Sequence, residues 1–139
     1  MKKRRKKTPR QKIEKSLDEL SKTCAKVRDH YTCQKCGKQG EKSQIHGSHV
    51  IPVSAGKRLR WDLQNIKALC AYCHRRWWHS HPLEAAEWFK NTFFRRWEYL
   101  QREKIKGPKK WSIEELEELE KKLKETLESR QTSLGVDLY

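Results

Sequence analysis

Two pairs of cysteines stand at metal-ligand spacing in this chain, Cys33-Gln34-Lys35-Cys36 and Cys70-Ala71-Tyr72-Cys73. A Cys-x-x-Cys turn offers two thiolates to one tetrahedral ion, and two such turns close a four-thiolate shell suited to Zn²⁺. A closed shell leaves no position for water or substrate, so Cys33, Cys36, Cys70 and Cys73 are expected to hold a structural zinc. Polar residues of another kind lie among them: His46, Ser48 and His49, then Asn65, then His74 directly after the last cysteine. A neutral imidazole can take a proton from a water attacking phosphorus, and a bound divalent ion can stabilise the oxygens that gain charge. On a strand His46 and Ser48 share one face and His49 lies on the other. His79 follows His74 by five residues, which on a regular helix sets it off to one side.

These groups need a scaffold, and the pattern supplies one. Ile13, Leu17, Leu20, Cys24 and Val27 recur at spacings of 4, 3, 4 and 3, one face of a helix from about Pro9 to Arg28. Cys24 lies on that face, which makes it a packed thiol rather than a ligand. Residues 30–73 lack helical period and are rich in Gly, Cys and His, so two small ribbons are expected, with Gly37, Gly40, Gly47 and Gly56 at turns. A helix is expected from Cys70 or Ala71 to about Ser80, and His81-Pro82 opens another that runs to Lys104 before Gly107-Pro108. Ser112 and Glu115 have the spacing of a capping box for a last helix. Its stripe of Leu116, Leu119, Leu123 and Leu127 either folds back onto the core or forms the seam of a homodimer.

With 139 residues, 35% hydrophobic and 37% charged, the chain has little material for one large core, and small cores rely on metals or partners. The formal charge of +15 is a field for polyanions. It is unevenly spread: residues 112–139 hold eight acids and four bases, net −4, which leaves +19 on residues 1–111. Seven of the first ten residues are Lys or Arg, a basic arm able to track a DNA backbone. No stretch approaches the roughly 18 apolar residues of a membrane span. The basic start is not followed by an apolar segment, which reads against a secretory signal, and five cysteines then suggest a reducing, cytoplasmic setting. The reading divides the chain into a flexible arm (1–10), a zinc-bearing domain with flanking helices (11–106) and an acidic helix with its tail (107–139).

The order of His49, Asn65 and His74 around the cysteine pairs resembles the HNH, or ββα-metal, nuclease superfamily in its zinc-bearing form. The resemblance implies an α+β fold with a small ββα-metal core. It also implies that His49 is the general base, that Asn65 braces the ribbon, and that His74 ligates a catalytic Mg²⁺ or Mn²⁺. Many members carry Asp or His just before the base, whereas this chain has Ser48, so Ser48, His46, His79 and Asp62 are the candidates for a second ligand. The family yields products with a 5′-phosphate and a 3′-hydroxyl.

A narrower likeness covers about half the chain, from Cys24 to Phe89. Val27-Arg28-Asp29, Tyr31 to Gly37, Ser48-His49, Leu59 to Asp62, Asn65, Leu69 to His74 and His81 to Phe89 are similar to the phage NinG (Rap) recombination endonucleases. That likeness implies a phage or prophage nuclease, acting in the bacterial cytoplasm on branched, Holliday-junction-like or double-stranded DNA. Lys57, Arg58 and Arg60, between the His and Asn motifs, are expected to flank the scissile phosphate, with Arg75 and Arg76 on the metal helix. Trp77 and Trp78 would stack on bases at a junction or fill the core. Two other readings remain: a restriction or packaging nuclease of the HNH type, and a zinc-ribbon DNA-binding protein that does not cut.

Overall fold

The computed structural model describes the backbone of residues 2–137 and the side chains of residues 2–130. Residues 138 and 139, the end of the expected C-terminal segment, lie outside the described residues. The order of elements is α1 (Pro9–Arg28), β1 (Ile45–His49), β2 (Ile66–Cys70), a π-helical turn (Cys73–Trp78), α2 (Pro82–Thr92), α3 (Phe94–Ile105) and α4 (Ile113–Asp137). Strands β1 and β2 form an antiparallel pair in which His49 faces Ile66 and Ile45 faces Cys70. The fold is the expected mixture of helices around a small sheet.

Helix α1 starts where its cap dictates. The Thr8 hydroxyl accepts from the Gln11 N–H while the Gln11 side chain accepts from the Thr8 N–H, and Pro9 occupies the first turn. Leu17 and Cys24 are fully buried against α4, whose Leu116 and Leu123 are 0% and 4% exposed. The leucine stripe is therefore used within the chain, by folding back. The Cys24 thiol donates to the Leu123 carbonyl and the Arg130 guanidinium donates to the Cys24 carbonyl, so this cysteine is the packed thiol its position foretold. The Ser112–Glu115 box forms as expected, each residue's side chain accepting from the other's backbone N–H.

Three small clusters replace one large core. The first lies under the cysteine pairs, around Ile45, Ala68 and Leu69. The second joins α1, Trp61 and α4, and the third joins Ile51 and Leu59 to Phe89 and Leu100 of α2 and α3. The last cluster explains a departure from the expected single helix over residues 82–104. Phe93, at φ −127° and ψ 56°, breaks it into two. Asn91, Thr92 and Phe93 are weak helix formers, and the bend lets Leu100 and Phe89 meet in one cluster. The first expected ribbon also shrinks, to an isolated bridge between Thr32 and Gln39. Gly47 sits inside β1 rather than at a turn; a Cβ there would lie 2.7 Å from Lys22 Cγ, so glycine lets α1 ride directly on the strand.

Candidate active site and metal centres

The cysteine pairs close into one cluster. The first pair rides on a tight turn in which Gly37 takes φ +78° and its N–H donates to the Cys33 carbonyl. The Cys36 N–H points at Cys33 Sγ (3.5 Å), and the Cys73 N–H points at Cys70 Sγ (3.4 Å). All four sulfurs lie within 4.8 Å of one another, with Cys36 Sγ and Cys70 Sγ 3.8 Å apart. Tetrahedral thiolates at zinc's usual bond length of about 2.3 Å stand roughly 3.8 Å from each other. The four residues could hold one metal ion, and four thiolates are a donor set that suits zinc.

His49, the last residue of β1, is fixed by a backbone group from a distant loop. Its Nε2 lies 2.8 Å from the Arg60 carbonyl. A carbonyl can only accept, so Nε2 carries the hydrogen and Nδ1 keeps the lone pair. Burial lowers the pKa of this imidazole, the Arg60 carbonyl opposes that shift, and nearby Lys22 adds to it. The ring is thus predominantly neutral at pH 7. Asn65 holds the same loop from below. Its Nδ2 donates to the Ile51 and Leu59 carbonyls (both 3.0 Å), and its Oδ1 accepts from the Ile51 N–H (2.7 Å). Asn65 is itself fully buried, and Arg28 and Arg96 hold the neighbouring carbonyls of Leu63, Gln64 and Ile66.

His74 enters from the segment after β2, and the helix there is not regular. Over Cys73–Trp78 it widens into a π-turn, and the His79 N–H donates to the His74 carbonyl five residues back. That widening overturns the expectation that His79 points aside. In a π-turn residues i and i+5 stack, and the two Nε2 atoms lie 3.1 Å apart. Nitrogens on adjacent positions of a metal ion, with bonds of about 2.1 Å, have nearly this separation. On the other side of the ring, His74 Nδ1 lies 2.9 Å from His46 Nδ1. Burial first, then His79 and His46, lowers the His74 pKa to about 4, so its nitrogens stay free of excess protons at neutral pH.

His49, His74 and His79 open onto one cleft of about 560 Å³ that Lys22, Val53, Trp97 and Lys104 also line. His46 is not in that lining; it reaches the site only through His74. Ser48 is not in it either. The Ser48 residue is 1% exposed, and its hydroxyl accepts from the Lys67 ammonium at 3.1 Å. Asp62 caps the short turn Leu63–Asn65 and accepts from the Tyr99 hydroxyl, away from the histidines.

The expected loop cations are engaged within the chain. Lys57 pairs with Glu14 (2.6 Å), Arg58 donates to the Gly107 carbonyl (2.7 Å), and Arg60 grips the Asp18 carboxylate with two bonds of 2.9 and 2.8 Å. A phosphate would have to displace those partners. Arg75 and Arg76 are exposed on the π-turn. Trp78 divides its role, lining the cleft and packing on the buried clusters, while Trp77 packs over the cysteine site.

Sequence reasoning missed Asp18, whose grip on Arg60 steadies the carbonyl that holds His49; a separation of 42 residues gave no signal. It also missed Lys67, fully buried with its ammonium 3.2 Å above the Trp78 ring. Burial pushes that ammonium's pKa well below the usual lysine range. The lone charge inside Ile66-Lys67-Ala68-Leu69-Cys70 was the available sign.

No curated protein and no solved structure matches this chain. The stretch that carries the cysteine cluster, His49, Asn65 and His74, residues 33–77, matches the model of a family described as HNH endonuclease.

Proposed function

We propose that this protein is a divalent-metal-dependent DNA endonuclease. The observation that carries the reading is the meeting of His49, whose Nδ1 has no hydrogen-bond partner among the described residues, and the His74–His79 pair in one cleft. In this reading His49 Nδ1 takes a proton from a water molecule, the water oxygen bonds to phosphorus, and the P–O3′ bond breaks. The products are a 5′-phosphate and, once the leaving oxygen gains a proton, a 3′-hydroxyl. Asn65 and Arg60 do no chemistry; they hold the base in place. His74 and His79 would hold the ion, with His46 behind His74 setting its tautomer. A divalent ion, when bound, supplies charge stabilisation at the phosphoryl and leaving oxygens.

Among the described residues no carboxylate lines the cleft. Mg²⁺ prefers oxygen ligands, whereas imidazoles suit the transition metals, so the donor set favours Mn²⁺ over Mg²⁺. The likeness of residues 24–89 to phage recombination endonucleases extends the proposal to branched DNA and a phage or prophage role. No described helix is long and apolar enough to cross a membrane.

The test is cutting of supercoiled plasmid by wild type and His49→Ala, each with Mn²⁺, Mg²⁺ or no added metal. Metal-dependent cutting, faster with Mn²⁺ and reduced roughly 10²–10⁴-fold in the variant, is expected for loss of a general base. DNA binding without cutting under any metal would replace this reading with that of a binding module. A labelled four-way junction beside a linear duplex of equal length tests the branched substrate: equal rates would remove it.

A further inference from the structure

Four cations outside the loop gather near the histidines. Lys22 and Lys26 are one turn apart on α1, Lys42 lies in the turn before β1, and Arg75 lies on the π-turn. Their charges converge on one place. Arg75 follows His74, exposed on the π-turn, and Lys26 lies close enough to Lys22 and Lys42 for both charges to act on it. Lys22 lines the cleft with His49 and His74, because Gly47 lets α1 press against β1 at that point. Among the described residues none of these four side chains has an ion pair or a hydrogen bond, unlike Lys57, Arg58 and Arg60.

Among the described residues the anion on which Lys22 acts is the Asp18 carboxylate, and Arg60 already grips it with two bonds. The excess of like charge is self-repelling, and a polyanion relieves that repulsion. The surface extends beyond them. Lys15 stands seven residues before Lys22, two turns back on nearly the same face of α1, and it lies against Lys7 of the basic arm. Glu19 falls on the same stretch and acts on Lys7. From Lys15 to Lys26 the helix rises about 16 Å, which matches about five steps of one DNA strand.

We propose that α1, through Lys22 and Lys26 and with Lys42 and Arg75 beside them, is the surface that holds the phosphate backbone of double-stranded DNA across the histidine cleft. This assignment rests on the nuclease reading for its choice of polyanion. It makes α1, which lies outside the stretch matched by the family model, part of the substrate-binding machinery. The loop cations then serve to hold that helix, since Glu14 and Asp18 belong to α1.

The experiment measures binding of full-length protein to a short labelled duplex across a salt titration, without added Mg²⁺ or Mn²⁺. It compares wild type, Lys22→Gln/Lys26→Gln, and Lys121→Gln on α4, which contributes nothing to the cleft. Loss of two phosphate contacts should reduce the slope of log affinity against log salt by about 2, with the Lys121 variant unchanged. Lysine acetylation of the wild type with and without duplex gives a second reading that needs no variant: Lys22 and Lys26 should be protected and Lys121 should not. An unchanged slope, or absent protection, overturns the assignment. Plasmid cutting is scored separately. A reduced slope in a protein that never cuts keeps the surface and removes the nuclease; normal cutting with an unchanged slope does the reverse.

Discussion

The cysteine cluster and the histidine cleft are built on the same two strands, yet they are assembled in opposite ways. Each cysteine pair is made locally, within a four-residue turn, and the Gln34 N–H, donating to the Ala68 carbonyl, ties the first turn to β2 beside the second. Once met, the four sulfurs face inward and complete a shell. The histidines arrive from β1 and, as a pair, from the turn after β2; His49 is held by the Arg60 carbonyl in a loop braced by Asn65, and His74 meets His46 across 28 residues of chain. Their nitrogens face a cleft. The contrast separates a site whose purpose is cohesion from one that must stay open, and it shows how much of an open site's precision is supplied from outside.

If that division holds, the largest effect comes from the closed site. Binding of structural zinc to small peptides is worth about 10–16 kcal/mol, as large as the whole stability of a typical domain. Strong chelation, or Cys73→Ser, should therefore abolish cooperative thermal unfolding followed by circular dichroism, and zinc should restore it to the chelated wild type. An unaltered melt after verified metal removal would show that the three apolar clusters suffice alone.

A smaller loss is expected at the brace between the two sites. Asn65→Ala leaves the Ile51 N–H and carbonyl without their partner, while the Leu59 carbonyl keeps the Asp62 N–H. Unsatisfied buried groups cost about 1–3 kcal/mol each, and partial relaxation should leave a total of about 3 kcal/mol in denaturant unfolding. A cost below about 0.5 kcal/mol would mean that the loop holds its shape by packing alone.

The mildest test concerns acidity. A base must be unprotonated, and burial holds the His49 pKa below that of a free imidazole. As pH rises the rate should increase and then level off, with the midpoint of kcat/KM below about 6.5. A midpoint above that value would assign the proton transfer to another group.

What could be read in the residues was what local chemistry decides. The start and end of α1 follow from Thr8, Pro9, Gln11 and an apolar face; the last helix follows from Ser112 and Glu115; the cysteine cluster follows from two short spacings. The order His49, Asn65, His74 named two of the three rings that the fold places at the cleft, and the amide beneath it. What escaped was decided across the chain. Lys57 and Arg60 looked like free cations; the acid near them in sequence, Asp62, accepts from the Gln64 N–H and the Tyr99 hydroxyl, yet Glu14 and Asp18 lie opposite once α1 packs down. The break at Phe93 depends on where Leu100 must go, and the imidazole that joins His74 at the cleft depends on a widened helical turn.

That widened turn has a consequence for how the segment tolerates changes in length. A π-turn is an α-helix that has absorbed one additional residue, so the register before and after it is offset by a single position. Removing one residue between His74 and His79 would return the helix to ordinary winding with the two imidazoles four apart, still neighbours on one face. The spacing of this pair is therefore a looser constraint than the cysteine spacings. A template that demands one fixed interval between the two histidines would pass over chains that keep the same pair of rings at the same cleft.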